Sequence, residues 1–181
     1  MAAILKILLQ IGNFNSMYKI LIFLIVSIVY FVSCNALKPM KMKREENYSE
    51  KFRLDGYYIQ CINEGNGYYR QVKIFYRNGV LINFDGKFEQ NCKSETNTYL
   101  RRKDINLTQV PYWLGIYQVT NNDSLLIESW QSTDYYYPTV KSVGKILNDS
   151  TLIIKYPKYP VDTFRFVEFS PKPDSTNKFI K

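Results

Sequence analysis

The chain reads as an all-β protein: an antiparallel up-and-down meander of about eight strands, closed into a barrel or, as the alternative, left as an open β-sandwich. Three observations predict it. From Gly56 onward, apolar and polar residues alternate with period two, the pattern of strands with a buried face. Aromatic residues are abundant, with 16 Tyr and 11 Phe among 181 residues, and they favour half-buried strands. Alanine, the best helix former, occurs only as Ala2, Ala3 and Ala36, all ahead of the alternating region.

Gly56 to Ile62 is the first expected strand, followed by a turn at Asn63-Glu64-Gly65-Asn66-Gly67. Tyr68 to Tyr76 is the second, with Val72, Ile74 and Tyr76 on one face and Gln71 and Lys73 on the other. Asn78-Gly79 is a strong hairpin signal because both positions tolerate positive φ. Val80 to Phe84 returns as the third strand, stopped by Asp85-Gly86. Residues 87–111 are less regular and read as a long loop or lid; a helix from Ser94 towards Lys103 is weakened by Thr96 and Thr98. Trp113–Val119 with Leu125–Trp130, and Val140–Leu147 with Leu152–Tyr156, form two hairpins. They carry an internal echo, Asn122-Asp123-Ser124 and Asn148-Asp149-Ser150, each a polar turn feeding an apolar strand. Asp162 to Phe169 is the last strand. The domain therefore spans 54–170, with 171–181 as a frayed tail.

Ahead of the domain, Lys19 and the apolar run Ile20–Val32 form a secretory signal of 13 apolar-region residues, short of the roughly 20 that cross a bilayer. A start at Met17 would give this signal an ordinary length. Phe31-Val32-Ser33-Cys34 resembles the lipobox of bacterial lipoproteins. That resemblance implies removal of residues 1–33, a diacylglycerol on Cys34, and anchoring to a membrane. Asn35 is not the aspartate associated with inner-membrane retention, and no acidic cluster follows Cys34. The expected location is therefore the cell envelope, on an outer membrane and facing the periplasm. Residues 34–53 are polar, charged and without apolar period, and read as a lipidated flexible tether.

The net charge of +8 becomes +6 once Lys6 and Lys19 are removed. Lys38, Lys41, Lys43 and Arg44 sit in the tether, and Arg101-Arg102-Lys103 is one further cluster. An exported chain with such scattered charge suits anionic head groups better than nucleic acid. With Cys34 acylated, Cys61 and Cys92 remain as an even pair in an oxidising compartment and are expected to form a disulfide.

Leu54-Asp55-Gly56-Tyr57-Tyr58 resembles the G-x-W opening of lipocalin-like barrels, with Tyr58 at the tryptophan position, and Thr133-Asp134-Tyr135 is similar to a T-D-Y segment of some lipocalins. The resemblance implies a barrel that binds a small apolar ligand in its mouth. The chain has no histidine, which excludes Ser-His-Asp and Cys-His catalysis and histidine-ligated metals. No catalytic, metal or cofactor residues are expected. Asp55, Asp85, Glu89, Asp104, Glu128, Asp134 and Glu168 read as lying at turns or pointing outward. A carboxylate-based hydrolase is the alternative class and would need two of them across a cleft. A purely structural envelope component is the third. Tyr117, Trp130, Tyr135 and Tyr137 are the candidate ligand-binding residues, because aromatic faces supply contact area with a polar tip. The leading expectation is a non-enzymatic, lipid-tethered protein that binds a small apolar ligand or an envelope protein.

Overall fold

Each strand pairs antiparallel with the next, and the eighth returns to the first, so the sheet closes on itself. The computed structural model describes residues 24, 37–47, 49–63, 68–88, 91–102, 106–120, 123–133 and 137–180. The lipobox, Cys34, Tyr135 and the acids Glu89, Asp104 and Asp134 lie outside the described residues. The strands are β1 (Gly56–Asn63), β2 (Tyr68–Phe75), β3 (Val80–Phe88), β4 (Leu114–Val119), β5 (Ser124–Trp130), β6 (Thr139–Asn148), β7 (Thr151–Lys155) and β8 (Val161–Glu168). Closure runs through Gly56↔Glu168, Tyr57↔Val167, Tyr58↔Phe166 and Ile59↔Arg165, which leaves no terminal edge to protect and excludes the open sandwich.

The β2–β3, β4–β5 and β6–β7 turns mark one end of the barrel; Asn63, Phe88, Trp130 and Lys155 mark the other. Asn78-Gly79 makes the expected tight turn. Gly79 has φ 78°, and a Cβ there would collide with the carbonyl oxygen of Glu45, so glycine serves both the turn and the segment crossing it. Asp85-Gly86 does not stop β3, which continues to Phe88 because β2 stays paired with it through Tyr68↔Phe88. By contrast, β3 and β4 pair only over Val80↔Ile116, Leu81↔Gly115 and Ile82↔Leu114. Beyond Ile82 the wall parts from β4.

Two apolar layers use the two faces of the same wall. Inside, Tyr58, Phe75, Leu81, Tyr117, Leu125, Ile127, Leu152, Ile154 and Phe164 fill the end near the short turns, together with Phe52. Outside, residues of the opposite parity (Tyr57, Ile59, Val72, Ile74, Ile82, Phe84, Leu114 and Ile116) form a second layer over β1–β4. This layer is covered by chain that the sequence reading left without structure.

The first cover is a helix, α1 (Cys92–Leu100), where a loop was expected. Asn91 caps it: its Oδ1 accepts the N–H groups of Lys93 and Ser94, each at 3.1 Å. Thr96, expected to weaken a helix, is fully buried and accepts a hydrogen bond from Arg70 Nη1. Tyr57 donates its hydroxyl to Asn97 Oδ1 at 2.9 Å. A disulfide between Cys61 and Cys92 fastens the start of α1 to β1, as expected from the cysteine count.

The second cover corrects the expectation of a flexible tether. Residues 37–53 run along the wall as a strap, and the compact unit begins at Leu37. Leu37 bridges Tyr137; Trp130 Nε1 donates to Lys38 O at 2.7 Å; Gln118 Nε2 donates to Lys43 O at 3.0 Å; and Asn47 N–H reaches Arg77 O at 2.8 Å. Midway, the N–H groups of Lys41 and Met42 donate to Glu128 Oε2 at 2.9 and 2.6 Å. Glu128, expected to point outward to solvent, is instead fully buried beneath the strap. Burial pushes its carboxyl up, but the Met42 and Lys41 N–H groups outweigh this and hold it below the usual range. The tail expected to fray also packs: Tyr76 donates its hydroxyl to Pro173 O at 2.7 Å, Lys172 Nζ donates to Phe75 O at 2.9 Å, and Phe179 lies against Trp130.

Around β6 and β7 the outer face carries no covering segment among the described residues. Leu126, Val143, Lys155 and Val161 stand in one cross-strand row, and Val143 and Val161 are each about half exposed.

Candidate ligand-binding cavity

Above the aromatic layer the inner face turns polar. Register places Lys73 opposite both Tyr58 and Asn83, and Gln71 opposite both Gln60 and Asp85. On the far side Ser129 faces Val140, and Ile154 faces Asp162. These residues share the inward parity of the interior cluster. Of these, Gln71, Asn83, Asp85, Ser129, Val140 and Asp162 bound a cavity of about 1030 Å³ that opens at the end opposite the short turns. Its mouth carries Tyr69, Tyr112, Trp113, Trp130, Tyr156 and Tyr159, with Lys141 on the outer side of the rim. A smaller cleft of about 330 Å³ at the other end is lined, among the described residues, by groups such as Glu45, Asn47, Gln118 and Asp123 and by no aromatic ring.

The polar wall is internally bonded. Gln60 Nε2 donates to Asp162 Oδ1 at 3.0 Å, and the Tyr69 hydroxyl donates to the Asp85 carboxylate. Lys73 Nζ donates to Asn83 Oδ1 and lies 5.1 Å from the Phe164 ring and 5.3 Å from that of Tyr156. Gln60 Oε1 is buried and has no hydrogen-bond partner among the described residues. At the mouth, the turn through Pro157-Lys158-Tyr159-Pro160 holds Lys158 at φ 69°, a conformation that non-glycine residues adopt at a cost of about 1–2 kcal/mol.

Burial pushes the Lys73 amine down to about 7, against the opposing pull of Asp162 and Asp85. Its ordinary value is 10.5, so between pH 7 and 10.5 the unfolded chain binds more protons than the folded one. Stability should therefore rise as pH is raised from about 7 towards 10, with the burial cost fully present below 7. Lys73→Met should flatten that rise and stabilise the barrel at pH 7 by on the order of 1–3 kcal/mol, part of the gain being lost to the unpaired Asn83. Thermal melts of both proteins at pH 7 and pH 9.5 check this; parallel pH slopes would show that Lys73 is not the group responsible.

The four aromatic candidates end in different places. Trp130 borders the cavity, although its indole is buried and tied to Lys38. Tyr137 stacks on the mouth residue Tyr112, centroids 6.0 Å apart. Tyr117 lies in the packed end, where its hydroxyl donates to Tyr76 O at 2.8 Å and accepts from Asn47 Nδ2 at 3.3 Å. Tyr135 lies outside the described residues. Sequence reasoning missed Gln60, Gln71, Lys73, Asn83 and Asp162, and it assigned Asp85 to a turn facing solvent. Their shared parity was the available signal: the polar set of β2 is the one that points into the barrel.

Fold and cavity together define the class, a closed eight-stranded up-and-down β-barrel with a hollow end. Set against family models, curated proteins and solved structures, the chain matches none of them.

Proposed function

We propose that this chain is a lipid-tethered binding protein of the cell envelope, acylated on Cys34, whose barrel holds a small molecule in its open end. The single observation supporting this most strongly is the cavity of about 1030 Å³ with a polar inner wall and an aromatic mouth. That size suits one small ligand, since ligand pockets typically measure about 300–1,000 Å³. The wall favours an amphipathic ligand over the purely apolar one that the lipocalin-like opening implied. Gln71, Asn83 and Ser129 offer polar contacts, and Tyr112, Trp113 and Tyr159 offer faces. Asp85 and Asp162 already accept hydrogen bonds from Tyr69 and Gln60, which favours binding over acid–base chemistry.

The test uses an amphipathic fluorescent probe, 8-anilinonaphthalene-1-sulfonate, with mass spectrometry of any small molecule that co-purifies. Ser129→Trp places a bulky ring in the cavity from the inner wall; Val140→Phe does so from the paired position. Each is expected to weaken probe binding at least about tenfold, equivalent to about 1.4 kcal/mol, with the β-sheet circular dichroism retained. Undiminished binding by folded variants would place the probe elsewhere and remove the proposal. A protein partner is the second reading, favoured by the bare apolar and basic outer face around Val143 and Lys155.

A further inference from the structure

The strap places the start of the folded chain at the cavity's end of the barrel. Leu37 bridges Tyr137, the next carbonyl, that of Lys38, is held by Trp130, and from there the chain descends past Glu128 to Asn47 and Phe52 at the packed end. Only Asn35 and Ala36 separate Leu37 from Cys34. At most about 3.5 Å per residue, an acyl group on Cys34 has roughly 10 Å of chain with which to leave the mouth. A tether so short cannot lift the barrel off the bilayer or turn its far end towards it.

We infer that the barrel sits mouth-down, with its aromatic rim in the head-group region of the membrane that holds the lipid anchor. This rests on the acylation of Cys34 proposed above. The rim has the composition that interface selects. Tyr159 is 64% exposed, and Tyr112 and Trp113 are partly exposed, beside Lys141 and Lys158. Aromatic rings with a polar tip settle at the boundary between head groups and acyl chains, and lysines complement anionic lipid. The strained turn at Lys158 presents Tyr159 outward instead of folding it over the cavity. A ligand would then enter from the membrane interface and not from bulk water.

Both tryptophans of the chain, Trp113 and Trp130, border the mouth, so the native protein carries its own reporters. The full chain is produced with its leader, isolated from the membrane fraction, and reconstituted in phosphatidylethanolamine–phosphatidylglycerol vesicles with or without brominated phospholipid. Intact mass of the mature N-terminus reads the acylation separately. The expected result is an acylated Cys34, a loss of tryptophan emission in brominated vesicles, and loss of amine-reagent labelling at Lys141 and Lys158 while Lys51 and Lys145, nearer the packed end, stay reactive. An acylated protein with undiminished emission would overturn the orientation and leave the anchoring intact. So would protection of Lys145 in place of the rim lysines, which would lay the outer face of β6 on the lipid. An N-terminus without acyl chains would overturn the anchoring itself, and the orientation with it.

Discussion

Phe52→Ala is expected to lower the unfolding free energy by about 3–5 kcal/mol, the range for removing a fully packed aromatic ring. Phe52 is 2% exposed and lies among three other rings: Tyr58 stacked at 5.4 Å, Phe75 edge-on at 4.8 Å and Tyr117 edge-on at 5.8 Å. It closes the packed end of the barrel from a segment that precedes β1. The strands around it are paired by their backbones and cannot collapse into the space, so the cavity persists and the cost stays high. Urea denaturation should show a lower midpoint at unchanged slope. A loss below about 1 kcal/mol would mean that residues 49–53 lie outside the cooperative unit.

Removing the Cys61–Cys92 bridge by paired serine substitution should cost about 3–4 kcal/mol, because the bond closes a loop spanning 31 positions. The effect should be concentrated on α1. Only Cys92 and Thr96 of that helix are fully buried, and Tyr99 and Leu100 add partly buried packing on the outer layer, so modest apolar area would keep it in place. Hydrogen exchange over residues 92–100 should accelerate well before exchange in the strands does. Equal denaturation midpoints with and without reductant would show that Arg70–Thr96, Tyr57–Asn97 and the packing of Tyr99 on Phe84 hold α1 without the bridge.

Much of the barrel was legible before any coordinates. Period-two alternation located eight strands, and the Asn78-Gly79 turn has the positive φ that its composition demands. The helix was missed because its stability is not intrinsic: Thr96 and Thr98 are poor helix formers, and what holds α1 is the Asn91 cap, a disulfide and a buried arginine contact. The strap was missed for a related reason. Residues 37–47 lack periodicity because they form no regular element, and the carboxylate that binds their backbone lies 86–87 positions away in sequence.

Alternation is a local property, so strand number, order and turn positions followed from neighbouring residues. Which face became the interior did not, since parity alone cannot say what a strand's second face will meet. In β2 the apolar set, Val72 and Ile74, lies outside under α1 and the two terminal segments, while Gln71 and Lys73 point inward, Gln71 lining the polar cavity and Lys73 bonded to Asn83 of its wall. Ring closure and the covering of the outer wall made that choice, and both depend on contacts between residues far apart in the chain.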